Sequence, residues 1–184
     1  MVAGPSGVGK GTVLARLREL EPDLWFSVSA TTREMRPGEI EGVDYRFLSR
    51  DEFLAQRDAG AFLESFDVYG DLKGTPREPV SEHLVAGGDV LLEVDVQGAL
   101  RVREEMPDAV LVFIKAPTRA AQVERLRARG HDSPDQIERR LAEAEVEETL
   151  AVRFDEVVVN DDVDRAAARL TAILEARRHG GGPD

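Results

Sequence analysis

The sequence predicts an α/β fold built on a parallel sheet, and three observations carry that expectation. Compact apolar runs alternate along the chain with longer stretches of helical periodicity, the order of strand–helix–strand units. The runs at 90–95, 109–114 and 156–160 are apolar through most of their length, which suits strands covered on both faces. A glycine-rich loop follows the first apolar residues and opens directly into an amphipathic helix.

The elements follow in order. Met1-Val2-Ala3 read as the first strand. A central strand normally needs about five residues, so this one is expected to be clipped, or the chain to start upstream. Residues 9–21 form a helix with Val13, Leu14, Leu17 and Leu20 on one side. The stretch 29–80, punctuated by Pro37, Gly38, Gly42, Gly70, Gly74 and Pro76, reads as an inserted lobe with small antiparallel strands at 45–47 and 62–64. The strands at 90–95 and 109–114 come next. An arginine-rich region around 119–140 reads as a second, helical insertion, with helices at 118–128 and 134–151. Ser133 as N-cap and Pro134 at the first helical position open the second of these. Strand 156–160 and helix 163–178 complete the pattern, and the tail 179–184 is expected to be disordered. The 184 residues form one domain on this reading.

Composition excludes several functions. There is no cysteine, hence no disulfide framework, thiolate metal site or cysteine nucleophile. His83, His131 and His179 are too few for a dense metal cluster. No apolar run approaches the roughly 20 residues that span a bilayer, and no secretory signal is visible, so the expected address is the cytoplasm. Acidic residues outnumber basic ones 36 to 24, a net charge of −12. That balance opposes a sequence-independent grip on nucleic acid. An anionic substrate would need local positive charge to overcome the global field.

Such charge is present in three places. Gly4-Pro5-Ser6-Gly7-Val8-Gly9-Lys10-Gly11-Thr12 carries the G-x-x-x-x-G-K core of a phosphate-binding loop. Its glycines let backbone N–H groups turn around a phosphate, Lys10 adds a point charge, and the following helix presents its positive end. The strict pattern has Ser or Thr directly after the lysine. Here Gly11 intervenes before Thr12, so a divalent cation is expected to be held mainly by phosphates and water. The second place is Arg33 and Arg36, which can converge on one phosphate, with Tyr45 as a neutral donor. The third is Arg125, Arg129 and Arg140. Arg125 and Arg129 share a helix face, where like charges repel unless an anion lies between them. Arg119, Arg127 and Arg139 read as solvated surface charge, His131 as a turn residue.

Carboxylates supply the complementary chemistry. Glu64 lies in a short strand of the lobe, and Asp95 ends an apolar strand, where open α/β sheets bind ligands. Ionised carboxylates only accept hydrogen bonds. Guanine offers its ring N–H and exocyclic amine side by side, a pair adenine lacks, so a carboxylate aimed into a base pocket favours guanine. The competing reading of Asp95 is a cap for the helix from Gln97.

With these residues assembled, the chain resembles the guanylate kinases over about 1–175. The resemblance rests on the Gly4–Thr12 loop, the Thr31-Thr32-Arg33-x-x-Arg36 run after Ser29, Gly38-Glu39, Asp44-Tyr45-x-Phe47, Gly74-Thr75-Pro76, Asp95-x-Gln97-Gly98, the Arg125–Gly130 segment and Val159-Asn160-Asp161-Asp162. It implies a five-stranded parallel-sheet P-loop core (1–28, 81–117 and 152–178), a GMP-binding lobe (29–80) and a mobile helical lid (118–151). The implied reaction is ATP + GMP ⇌ ADP + GDP with Mg²⁺, and the implied small-molecule partners are ATP and GMP.

By the same resemblance, Gly4, Ser6, Gly7, Val8, Gly9, Lys10, Gly11 and Thr12 hold the ATP phosphates, and Asn160 lies at the adenine end. Arg33, Arg36 and Tyr45 hold the GMP phosphate, and Ser29, Glu64, Thr75 and Asp95 read guanine or its surroundings. Arg125, Arg129 and Arg140 close over the transferring group, so that Lys10, Arg33 and these three are the implied catalytic cations. One position departs from the family: Lys73 stands where a tyrosine commonly donates to the GMP phosphate. Lysine also reaches a phosphate, as a flexible cation, so retained binding with altered affinity or selectivity is expected. Two other readings compete. One is a paralogue acting on dGMP or another nucleoside monophosphate. The other is a non-catalytic module binding phosphopeptides, which would predict loss of Lys10 and the lid arginines.

Overall fold

A computed structural model describes residues 1–68, 70–128 and 133–180. The chain divides into two compact units, one formed by Met1 with Leu24–Ala109 and the other by Val2–Asp23 with Val110–Asp184.

The second unit is α/β. Its strands β1 (Val2–Ala3), β8 (Val112–Lys115) and β9 (Glu156–Val159) form a parallel sheet in the order β1-β8-β9. Val2 pairs with Val112 and Ala3 with Phe113, so the first strand has two residues. Helix α1 (Lys10–Leu20) buries Val13, Leu14 and Leu17, one face at i, i+1 and i+4, and packs on α7 (Val163–Gly180). Ala166, Ala167, Leu170 and Ile173 are buried along α7. Helix α7 runs two residues past its expected end, so His179 and Gly180 are helical; 181–184 lie outside the described residues. Phe113 meets Phe154 edge-on, with ring centroids 5.2 Å apart. Helix α5 (Arg119–Ala128) precedes α6 (Pro134–Thr149), and a 3₁₀ turn (Leu150–Arg153) leads into β9. Ser133 caps α6 as expected. Its hydroxyl accepts from the Gln136 N–H while the Gln136 side chain accepts from the Ser133 N–H. His131 lies outside the described residues.

The first unit holds a two-stranded parallel ladder, β2 (Trp25–Phe26) with β7 (Val90–Leu91), and a four-stranded mixed sheet. The expected single five-stranded sheet is thus seen as parallel ladders of three and two strands. Within the run at 90–95 only Val90 and Leu91 form strand β7, Glu93 makes an isolated bridge, and Asp95 caps α4 (Val96–Glu105). The mixed sheet orders β4 (Arg46–Phe47), β3 (Ala30–Thr31), β6 (Asp71–Pro76) and β5 (Phe62–Val68) as β4-β3-β6-β5. Segment 62–64 lies within β5 as expected; of 45–47, Arg46 and Phe47 form β4 while Tyr45 makes an isolated bridge to Glu41, and β4 runs parallel to β3. Only β5–β6 and β3–β6 are antiparallel.

A helix the sequence reading left unassigned, α2 (Arg50–Asp58), covers this sheet. Phe53 stacks on Phe62 at 4.5 Å and joins Ala30 and Leu72 in a buried cluster. Helix α3 (Arg77–Val85) leads to β7, and its His83 stacks on Trp25 with ring centroids 3.9 Å apart. Among the described residues no helix is long and apolar enough to cross a membrane.

Candidate active site

Strand pleat sorts the side chains of β6. Leu72 faces the Phe53 cluster, and a Cβ at Gly74 would stand 3.1 Å from the Phe53 ring. Lys73 and Thr75, offset by one, therefore share the opposite face. Register sets Thr75 against Glu64 and Lys73 against both Phe66 and Thr31. The Thr75 hydroxyl donates to Glu64 Oε1 at 2.5 Å. A Cβ on Gly98, in the first turn of α4, would stand 3.1 Å from Asp95 Oδ1 and 3.3 Å from Glu64 Oε2, so both carboxyls converge there. Asp95 also caps α4, accepting the Gly98 N–H at 2.6 Å. The competing reading of Asp95 as a helix cap is therefore what the structure forms, and one bond leaves the carboxylate further acceptor sites.

Glu64 is 7% exposed. Burial pushes its carboxyl up to about 7; the Thr75 hydroxyl and Lys73 oppose the shift, and the Asp95 charge adds to it. Ser29 is buried beside this pocket's strands, its carbonyl accepting the Arg46 N–H at 2.9 Å.

The arginine–tyrosine group is ordered by a residue to which the sequence reading gave no role. Glu39 takes Arg33 in a two-pronged pair, at 2.7 and 3.1 Å, with both side chains only about one-fifth exposed. It also accepts the Arg36 N–H at 2.7 Å. Hydrogen bonding to Arg33, reinforced by the Arg36 N–H, holds the Glu39 carboxyl below the usual range. The Arg33 guanidinium lies 5.4 Å from the Tyr45 ring and 5.7 Å from Phe47, and Lys73 Nζ is also 5.4 Å from Tyr45. Lys73 thus gathers with Arg33 around the Tyr45 ring. Arg36 itself is exposed.

In the other unit, Gly4–Gly9 link β1 to α1, with Lys10 as the first helical residue and Thr12 exposed on the first turn. Gly7 and Gly9 have φ of 83° and 84°, which disfavours a side chain. At Gly9 a Cβ would also meet Asn160 Nδ2 at 2.5 Å. Gly11 faces open space, so no packing demands a glycine there. Val8 is buried, and its carbonyl is held twice, by Asn160 Nδ2 and by Arg125 Nη1, each at 2.8 Å.

Arg125 places its other terminal nitrogen on the Asn160 carbonyl at 2.8 Å. Both of these donors sit on main-chain carbonyls, so no anion is needed to explain the position of this charge. Asn160 is buried, and its Oδ1 has no hydrogen-bond partner. Arg140 Nη1 reaches the Ser6 hydroxyl at 3.0 Å. Arg129 lies outside the described residues.

Arg119 is not the solvated charge expected of it. It donates to Gln122 Oε1, the Leu141 carbonyl and Glu145. Gln122, 1% exposed, donates in turn to the Ser6 carbonyl at 2.7 Å. Its one sequence signal is i, i+4 spacing to Leu126, the other buried residue of α5.

The family profile described as "Guanylate kinase" matches residues 1–177. The guanylate kinase of Frankia casuarinae is 49% identical over 174 residues, covering 95% of each chain. That of Rhodococcus jostii is 50% identical over 179 residues, covering 96% of this chain and 86% of its own. Among solved structures, the crystal structure of guanylate kinase from Anaplasma phagocytophilum matches with a TM-score of 0.77 at 35% identity, covering 96% of this chain and 85% of that one.

Proposed function

The chain belongs to the guanylate kinase family, and from that premise we propose that it transfers the γ-phosphoryl group of ATP to GMP, giving ADP and GDP, as an enzyme of purine nucleotide metabolism in the cytoplasm. The observation that carries the choice of acceptor is the pair of carboxyls, Glu64 and Asp95, converging at Gly98 beside the Thr75 hydroxyl. A buried, acceptor-rich pocket complements the adjacent donors of guanine and leaves adenine without a match.

The domain we assign comprises a core (1–28, 81–117 and 152–178), a GMP-binding lobe (29–80) and a lid (118–151). In the lobe, Arg33, Arg36, Tyr45 and Lys73 receive the GMP phosphate, and Ser29 helps to wall the base pocket. In the loop, the backbone N–H groups from Gly4 to Thr12 and the Lys10 ammonium receive the ATP phosphates. Asn160, Arg125 and Arg140 brace that loop, and the arginines stand as counter-charge to the moving group together with Arg129.

The described residues contain no cluster of three His, Asp or Glu able to hold a metal ion. Near the loop, the exposed Thr12 hydroxyl is an oxygen donor on the first turn of α1. This setting fits Mg²⁺ held mainly by nucleotide phosphates and water. When bound, Mg²⁺ neutralises phosphate charge.

Transfer needs no covalent intermediate on the protein. A GMP phosphate oxygen forms a bond to the γ-phosphorus as the bond to the ADP oxygen breaks, and positioning and charge stabilisation supply the catalysis. Exclusion of water keeps hydrolysis from competing. The test is ADP release in a coupled assay with ATP, Mg²⁺ and each of GMP, dGMP, AMP, CMP and UMP. Turnover with GMP, alone or with weaker dGMP, is the expected result. Turnover with a different acceptor, or with none, would sink the proposal.

A further inference from the structure

Gln122 is a buried polar side chain that the proposed reaction does not use. Its amide is divided between two partners. The Nε2 end donates to the Ser6 carbonyl at 2.7 Å, and the Oε1 end accepts from Arg119 Nη1 at 2.9 Å. The other terminal nitrogen of Arg119 donates to the Leu141 carbonyl at 2.5 Å and to Glu145 at 2.6 Å, both on α6. A continuous chain of hydrogen bonds therefore runs from α6 through α5 to the loop. The packing agrees: a Cβ at Gly7 would stand 3.1 Å from Gln122 Cγ and 2.7 Å from Leu126 Cγ. Ser6 is also reached from α6 directly, through its hydroxyl and Arg140.

A peptide unit is planar and trans, so its C=O and the following N–H point in opposite directions. Holding the Ser6 carbonyl toward Gln122 sends the Gly7 N–H away from α5. Two residues on, Arg125 and Asn160 hold the Val8 carbonyl and so orient the Gly9 N–H. A loop of this kind binds anions through such N–H groups, and a carbonyl rotated inward would present negative charge to the phosphate.

We propose that Gln122 is a positioning residue of the ATP site, which with Arg119 transmits the seat of α6 to the Ser6–Gly7 peptide and keeps its N–H available to phosphate. The proposal rests on the reading of residues 4–12 as the ATP site. A glutamine that only filled space would be replaceable by methionine of similar volume. A positioning glutamine would not, and the loss would fall on ATP alone.

The test is calorimetric titration of the full chain with ATP and, separately, with GMP, for wild type, Gln122→Met, Gln122→Glu, Arg119→Met and the Gln122→Met/Arg119→Met pair. Gln122→Glu keeps the acceptor for Arg119 and removes the donor to Ser6. Loss of one buried hydrogen bond should weaken ATP about tenfold in both Gln122 variants, with GMP affinity within about twofold of wild type. Arg119→Met should weaken ATP by a smaller factor, about threefold, and the paired variant should be no worse than Gln122→Met alone, because the relay is already cut. Wild-type ATP affinity in a folded Gln122→Met, equal losses for ATP and GMP, or additive effects in the pair would each overturn the proposal. Should the Gln122 variants fail to fold, Arg119→Met decides, since it leaves the Ser6–Gln122 bond in place, and an unchanged ATP affinity refutes the relay. A wild-type chain that binds no ATP would refute the reading of the loop itself, an outcome distinct from all of these.

Discussion

On the proposed reading, the phosphate loop and the base pocket meet their ligands by opposite means. The loop is nine consecutive residues, Gly4–Thr12, acting through main-chain N–H groups whose carbonyls are held from outside by Gln122, Arg125 and Asn160. The pocket gathers side chains from β5, β6 and the start of α4, and at its centre is a carboxyl whose burial shifts its titration to about 7. An anion can be bound by oriented dipoles, which requires no buried charge in the empty protein. A base with two donors needs an acceptor in a dry place, and the empty pocket holds that acceptor at an electrostatic cost which the ligand relieves. The two regions should therefore answer differently to mutation and to pH.

The largest effect is expected at Lys10. Lys10→Met leaves the loop backbone intact and removes its one side-chain cation. We expect kcat to fall about 10³-fold, the scale of losing a preorganised transition-state charge, with GMP affinity unchanged. Steady-state kinetics and GMP titration check this. A loss confined to KM for ATP would mean that Lys10 binds the ground state and transition state alike, and the loop would then be a binding device only.

Next comes Glu64→Gln. The amide would set an N–H₂ group where guanine presents donors, and kcat/KM for GMP should fall about 10²-fold, as for a recognition bond replaced by an unmatched buried group. ATP affinity should be untouched. As pH falls through about 7 the wild-type carboxyl takes up a proton, which turns one of its oxygens into a donor, and only the carboxylate can accept both adjacent guanine donors. GMP affinity should therefore rise between pH 6 and 8 more steeply in wild type than in Glu64→Gln, the titration of GMP itself being common to both. Stability gives the complementary sign. Folding raises this pKa from its ordinary value of 4.5 to about 7, so the folded chain keeps a proton that the unfolded chain has lost in that window. Stability then declines as pH rises from 4.5 through 7, and Glu64→Gln should flatten that decline in denaturant titrations. Parallel pH profiles for the two proteins would remove the contrast drawn above.

A smaller effect should follow from Glu39→Gln, which takes away the charged half of the Arg33 clamp while leaving a side chain of the same size. Arg33 would remain near Tyr45 and Phe47 but lose its two-pronged restraint. KM for GMP should rise about tenfold with kcat less affected, in line with a partly buried charge-assisted pair. Equal changes in kcat and KM would instead assign Arg33 to the transition state.

How much of this was legible in the sequence divides along the same line. The turn from β1 into α1 was legible because its glycine pattern lies in consecutive residues. The strand of α/β alternation and the Ser133–Pro134 helix start were legible for the same local reason. The joint placement of Glu64 and Thr75 depends on strand register across a hairpin, which no local pattern reports. The pairing of Arg119 with Gln122 and Leu141 depends on how α5 meets α6. Arg119 read as solvent-facing because charge on a helix usually is. The parallel pairing of β4 was hidden because its partner, the two-residue strand Ala30–Thr31, carries no local strand signal, so 45–47 read as one of a set of small antiparallel strands. Helix α2 differs: Ser49-x-x-Glu52 ahead of Phe53-Leu54 is a helix-start signature within the sequence itself.

That signature provides the smallest of the expected effects and the sharpest control. The Ser49 hydroxyl accepts the Glu52 N–H, and the Glu52 carboxylate returns to the Ser49 N–H at 2.8 Å. Ser49→Ala should cost about 1 kcal/mol, lowering Tm by roughly 3 °C in a chain of this size. Glu52 would lose the hydroxyl that, as the leading cause, holds its carboxyl low. The bonds of the cap stay within Ser49 and Glu52, and α2 meets the sheet through Phe53, which packs on Phe62 and Leu72, and through Arg50, which donates to the Gly70 carbonyl. At 25 °C, kcat and both KM values should therefore stay within twofold of wild type while the unfolding midpoint falls. A rise in KM for GMP with unchanged KM for ATP would show that the pocket, unlike the loop, takes its geometry from the stability of the helix behind it.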